Sequence, residues 1–207
     1  MKTNKRMSRQ QILIGTLNPG KAKEISAWLD SVGFEPVLPV DLGLGDIEET
    51  GSTLKENSDL KALYYLQKSG LPTVADDSGF EVDALDGAPG IKSKRWLGED
   101  ASWLDLARAI IDRLQNVPSE ARTARLHTVM SLALPSGEVH NTEASICGRV
   151  PLTLDESLIT PGYPYRALLT VDQFNKLYAE LTEEEHAAVN QRQRALVELL
   201  PELRKLQ

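Results

Sequence analysis

Apolar positions along the chain recur with two periods, and these set the predicted elements. Residues 11–15, Gln-Ile-Leu-Ile-Gly, form a short apolar run that reads as a buried strand. Ala22, Ile25, Leu29 and Val32 then fall at helical spacing and predict a helix over Pro19–Ser31 with one apolar face. Residues 35–40 read as a second short strand. A second helix is expected from Thr53, with Glu56 completing a capping box and Leu60, Leu63 and Leu66 forming its buried stripe. Residues 72–75 predict a strand that runs straight into Asp76-Asp77-Ser78-Gly79. Residues 101–114 read as helix. Strands over 122–134 and 138–150 follow, joined by a turn at Pro135-Ser136-Gly137. The C-terminal part reads as helical, with a capping box at Thr182 and Glu185. Strands alternating with helices predict an α/β fold, a mixed sheet flanked by helices, and the late hairpin means that the sheet is not purely parallel.

Composition narrows the class. The 207 residues suffice for a single domain with a proper core, expected over 11–207 after a flexible basic arm at 1–10. No apolar run approaches the roughly 20 residues that span a bilayer, so no membrane role is expected. The lone cysteine, Cys147, rules out an intramolecular disulfide and a multi-cysteine metal site. It reads as a small buried hydrophobe and fits a reducing cytoplasm. A formal net charge of −7 argues against broad nucleic-acid binding, which needs a basic face. A small phosphate ligand needs only a local patch.

Such a patch is visible after the first strand. Gly15-Thr16-Leu17-Asn18-Pro19-Gly20-Lys21-Ala22 joins strand to helix, with Asn18 a good N-cap and Pro19 a good first helical residue. Free amides beside Lys21 would suit a phosphate, and a bound anion would relieve a lysine at the positive end of the helix dipole. The alternative is a helix start whose lysine points to solvent. The segment nearly matches a P-loop, but Ala22 stands where the magnesium-binding hydroxyl belongs, which disfavours a P-loop kinase or ATPase.

Asp76-Asp77 places two carboxylates at the end of an apolar strand. Two close carboxylates resist ionising together, and a divalent cation resolves that conflict. Magnesium suits oxygen ligands and is usually held by one or two carboxylates plus substrate phosphates. Glu48-Glu49 is a second acidic pair. The alternative is a solvated acidic turn. Asn57 and Lys61 lie four apart, and so on one helix face that either meets a phosphate or is simply solvated. His127 and His140 read as structural, and Trp28 as a core or interface residue.

Several motifs occur together in order. They are Thr16-Leu17-Asn18-Pro19-Gly20-Lys21, Glu48-Glu49-Thr50-Gly51, Thr53-x-x-Glu56-Asn57 with Lys61, and Ala75-Asp76-Asp77-Ser78-Gly79. Gly87-Ala88-Pro89-Gly90-Ile91, Ser93-x-Arg95 and Gly98-Glu99-Asp100 follow. The combination resembles the inosine triphosphate pyrophosphatase family, densely from Ile12 to about His127. The resemblance implies two lobes around a central cleft, a homodimer, and magnesium-dependent cleavage of a nucleoside triphosphate to the monophosphate and pyrophosphate. Deaminated purines such as inosine and xanthosine triphosphate are the implied substrates. It implies Asp77 as general base and metal ligand, Glu49 as a further metal ligand, and Thr16, Asn18, Lys21, Lys61 and Ser78 as phosphate-binding residues.

The chain departs from the family on the base side. Where the family carries Gly-Phe-Gly-Tyr-Asp-Pro, residues 162–167 read Gly-Tyr-Pro-Tyr-Arg-Ala, so Arg166 replaces an acid that helps to read the base. His186 stands for a family lysine, and Asn190-Gln191-Arg192 for Ser-His-Arg. Tyr163, Tyr165 and Arg192 are the base-side candidates, with Tyr163 able to stack on a base. Core packing for the tyrosines and a solvated helix face for Arg192 are the alternatives. Arginine offers only donors, so the expectation is altered or relaxed base preference. A non-catalytic nucleotide-binding protein on the same fold is the competing reading.

Overall fold

The computed structural model describes residues 9–98, 100–160 and 163–207. Most of the expected arm, residues 1–8, lies outside the described residues, as do Glu99, Pro161 and Gly162. Arg9 is tied to the body by an ion pair with Asp30 at 2.7 Å.

The element order is β1 (Gln11–Ile14), α1 (Pro19–Ser31), β2 (Glu35–Val37), α2 (Leu54–Ser69), β3 (Thr73–Val82), β4 (Pro89–Gly90) and α3 (Trp103–Arg113). Then come β5 (Thr123–Ala133), β6 (Val139–Arg149), β7 (Thr170–Val171), β8 (Lys176–Leu177), α4 (Glu183–Val189) and α5 (Gln191–Arg204). The sheet runs β2-β1-β3-β5-β6-β7-β8, with β4 also paired to β3. β2, β1 and β3 are parallel and the remaining pairs antiparallel, so the mixed sheet expected from the hairpin is present.

Side-chain alternation along β3 divides the molecule. Val74, Phe80 and Val82 point to one face, which carries two apolar clusters. One joins Val74, Met130 and Leu132 to Ile25 and Trp28 of α1 and to Leu196 and Leu199 of α5. The other joins Phe80 and Val82 to Ile110 of α3 and to Leu168, Leu169 and Tyr178. Trp28 is therefore core. The opposite face carries Ala75 and Ala133 against Ala62 of α2. No helix among the described residues is long and apolar enough to cross a membrane.

Several expectations need correction. The second strand ends at Val37, and Pro39–Leu42 forms a short 3-10 turn. The Leu38 amide turns to the Asp41 carboxylate at 3.0 Å, which takes the chain out of the strand. In α2 the stripe Leu60, Leu63 and Leu66 is not the buried one. Leu63 is 41% exposed, and the buried face is Leu54, Asn57, Ser58, Lys61, Ala62 and Tyr65. The capping box at Thr53 is half formed. Thr53 Oγ1 accepts from the Glu56 amide at 3.1 Å, but the Glu56 carboxylate turns to Ser52. Cys147 is exposed rather than buried. It lies between Ile146 and Gly148 in β6, and alternation sends it to the face opposite buried Ile146, level with Arg125 of β5.

Candidate active site

Strand β3 has two neighbours on one edge. β1 pairs with Thr73 and Val74, and β4 pairs with Phe80 and Glu81. Residues 75–79 pair with neither, while β5 holds the whole other edge. That opening floors a cleft of about 520 Å³ lined by Lys21, Glu49, Lys61, Asp77, Phe80 and Tyr163, among others. β1 ends just before it, so the 15–18 turn and the start of α1 form its rim. The acidic strand does not end at the pair, as the sequence reading assumed. It continues to Val82, and Asp76 and Asp77 point to opposite faces.

Asp77 points towards α2. Lys61 Nζ lies 3.2 Å from Asp77 Oδ1 and 2.6 Å from Glu49 Oε1, so two carboxylates share one ammonium. Asn57 Nδ2 donates to the other Asp77 oxygen at 3.2 Å. Arg95 holds Glu49 from behind, donating to its backbone carbonyl at 3.0 Å. Burial would raise the Glu49 carboxyl, but Lys61, then Lys21 and Arg95, hold it below its usual value. Burial pushes Asp77 up, and the negative Glu49 adds to this against the pull of Lys61 and Lys21. Burial opposes the Lys61 charge, but Asp77 and Glu49 overcome it and raise its pKa. Asn57 and Lys61 are buried on the inner face of α2, so their face is not solvated.

Asp76 is fully buried on the other face. Its Oδ2 receives Lys21 Nζ at 3.0 Å, Arg192 Nε at 3.2 Å and the Ser78 hydroxyl at 2.9 Å. Its Oδ1 has no partner among the described residues. Desolvation would raise this carboxyl, but Lys21 and Arg192 hold it far below the usual range. Burial pulls Lys21 below its usual value despite Asp76. Arg192 is 4% exposed and also bonds Glu24 at 2.5 Å, so the solvated-face alternative fails for it.

The expected helix start is present, but its amides are not free. Asn18 caps α1 with Pro19 following. But the Asn18 side chain itself accepts from the Gly20 and Lys21 amides at 2.9 and 3.2 Å, and the Ala22 amide bonds the Asn18 carbonyl. The helix start therefore offers no free amide at these three residues, because its own cap takes them. Thr16 braces the turn by accepting from the Asn18 amide at 3.2 Å. Lys21 points inward to Asp76, not to solvent.

On the base side, Tyr163 and Arg166 border the cleft. Tyr165 stands in its wall, stacked on Phe80 with centroids 4.9 Å apart, and its hydroxyl is given to the Ser93 carbonyl. His186 stacks on Tyr178 at 5.0 Å, and burial lowers its pKa. Gln191 is 5% exposed and borders the cleft, and its side-chain carbonyl has no partner among the described residues. His127 sits between Glu81 and Glu143 at 3.2 Å from each, and His140 near Glu202, both outside the cleft.

A family model described as the Ham1 family matches residues 12–202. The chain belongs to the Ham1 family. The family resemblance read from the motifs therefore holds. A dITP/XTP pyrophosphatase of Yersinia pseudotuberculosis is 40% identical over 196 residues, covering 94% of this chain and 98% of the relative. The Ham1 protein structure of Staphylococcus aureus superposes with a TM-score of 0.82 at 27% identity, covering 96% of this chain and all of that one. A Mycobacterium abscessus structure described as a nucleoside-triphosphatase / dITP/XTP pyrophosphatase matches at a TM-score of 0.74 and 34% identity, over 93% of this chain and 100% of that one.

The geometry brings in Glu24, which no motif contained, and gives contacts to Asp76, Asn57 and Arg95, which the motifs contained without an assigned role. Glu24 had a signal that went unread: it lies three residues after Lys21, on the same face of α1. The grip of Arg95 on the Glu49 backbone had none, since it joins segments 46 residues apart.

Proposed function

We propose that the chain hydrolyses a nucleoside triphosphate to the monophosphate and pyrophosphate, acting on deaminated purine nucleotides. The convergence of Asp77 and Glu49 on Lys61 beside the open edge of β3 carries this reading. The names of the relatives support the substrate class. Water attacks the α-phosphorus, the bond from that phosphorus to the α,β-bridging oxygen breaks, and pyrophosphate leaves. Asp77 takes the proton of the water as general base. Lys21 and Lys61 offset phosphate charge in a partly desolvated cleft, where such charges act strongly.

The donor set fits magnesium. Among the described residues no three His, Cys, Asp or Glu side chains converge on a point. Two carboxylates do converge on one cationic group, the number that magnesium takes from protein when substrate phosphates supply the rest. Bound there by Asp77 and Glu49, the ion would neutralise charge on the phosphate oxygens. A homodimer in a reducing cytoplasm belongs to the same proposal, as do the single domain over 11–207 and the absence of nucleic-acid binding.

Altered base preference is the finer part. Arg166 brings only donors, and the orphan Gln191 carbonyl calls for a donor on the ligand. The test is pyrophosphate release with magnesium across inosine, xanthosine, guanosine and pyrimidine triphosphates. Asp77→Asn should lower kcat at least about a hundredfold, the low end for losing a general base. Nucleotide binding without turnover on the whole panel would make the protein a non-catalytic binder. A family-like preference for inosine triphosphate would remove the altered-preference part alone.

A further inference from the structure

Arg166 borders the cleft, and the structure shows where its guanidinium goes. The guanidinium lies 3.9 Å from the Tyr163 ring centroid and 5.2 Å from that of Tyr178. Its Nη2 donates to Glu24 Oε1 at 2.7 Å. Two aromatic rings and a carboxylate thus hold a flat group whose N–H edge points at an acceptor. A nucleobase is bound by the same chemistry, a π face on an aromatic ring and in-plane N–H donors to a fixed acceptor. The phenol end of Tyr163 rests on Gly20, where any Cβ would overlap the ring. Tyr163 is therefore packed against the start of α1.

We propose that Arg166 is an internal competitor for the nucleobase. Its guanidinium fills the aromatic slot beside Tyr163, and substrate binding includes its displacement. This rests on the reading of the cleft as a nucleotide site. Two observations make the displacement feasible. The Arg166 side chain is 24% exposed, whereas that of Arg192 is 5% exposed and pinned by both Asp76 and Glu24. When Arg166 leaves, Glu24 keeps Arg192 at 2.5 Å and is not stranded. Apparent affinity is then the intrinsic affinity reduced by the fraction of molecules whose slot is open. Ligands without a base do not use the slot and escape that reduction.

Titration calorimetry with two probes tests this: α,β-methylene inosine triphosphate, which resists cleavage, and inorganic tripolyphosphate, which has no base. Arg166→Ala should tighten the nucleotide analogue by up to about tenfold, as expected if the slot is open in roughly one molecule in ten. Tripolyphosphate should bind the variant no more tightly than the wild type, since a positive charge has been removed. Millimolar guanidinium should weaken the analogue competitively in Arg166→Ala and not in the wild type. Should Arg166→Ala fail to fold, Arg166→Lys keeps the charge for Glu24, loses the planar stack, and should tighten the analogue by a smaller factor. Equal or weaker analogue binding in the folded variant overturns the proposal, as does parallel tightening of tripolyphosphate. Pyrophosphate release is read separately, so a wild type that binds the analogue but turns over no nucleotide defeats the catalytic reading and leaves this one standing.

Discussion

Asp76→Asn separates the structural half of the acidic pair from the chemical half. Asp76 is fully buried, and Lys21, Arg192 and Ser78 all approach one oxygen, Oδ2. Asparagine has the same shape and can place its carbonyl oxygen there, with its amide at the position of the unpartnered Oδ1. The substitution therefore removes charge with little steric change. At an effective dielectric of about 20, each pair at this distance loses roughly 5 kcal/mol of attraction. The net cost is lower because Arg192 keeps Glu24 at 2.5 Å. The balance is about 3–4 kcal/mol, within the range for breaking a buried ion pair. For a chain of this length that lowers Tm by roughly 10 °C.

The assay is urea and thermal unfolding followed by circular dichroism. Its decisive arm is the double variant Asp76→Asn/Lys21→Met. Once Asp76 is neutral, Lys21 is a poorly compensated ammonium whose side chain is only 17% exposed. Replacing it with methionine should return at least about 1 kcal/mol, although Lys21→Met alone destabilises the wild type. A loss below about 1 kcal/mol for Asp76→Asn, or additive losses in the double variant, would refute the reasoning.

Glu24→Gln should cost about 2 kcal/mol at neutral pH, because it weakens charge-assisted bonds to two arginines. Burial would raise Glu24, but Arg192 and Arg166 hold its folded pKa below the usual glutamate value. Its contribution is thus present above the unfolded value and is lost as pH falls through the lower folded one. Urea titrations should show the gap between wild type and Glu24→Gln closing in acid, and a gap constant with pH would count against the pairing. Gly148→Ala should lower stability by about 1–3 kcal/mol, since its Cβ would strike the Thr170 carbonyl where β6 meets β7. A Tm equal to that of the wild type would show that this close approach is not fixed.

How far the site could be read from the sequence depended on whether a local rule governed each residue. The start of α1 obeyed one: Asn18 before Pro19 fixes a cap, and Ala22, Ile25 and Leu29 fix the buried face. The hairpin obeyed another, with eleven paired positions in register from Thr123 to Ala133. Helix α2 broke the rule. Hydrophobic periodicity sorts polar residues to solvent, yet Asn57, Ser58 and Lys61 face inward while Leu63 faces out. The inversion is not noise. An apolar stripe would have turned Leu60, Leu63 and Leu66 onto β3 and left Asp77 buried without Lys61 or Asn57, at a desolvation cost that buried carboxylates do not bear unpaired. The acidic strand, the cation on α2 and the polar inner face of that helix therefore imply one another. The strand-edge opening between β1 and β4 set the limit of the reading. It depends on which strands lie beside β3, a fact of register between distant segments that no local pattern encodes. Two polar residues four apart on a helix that leads into an acidic strand are thus the signal to look for, whichever face the leucines mark. In α2, Asn57 and Lys61 meet that description, and both reach Asp77.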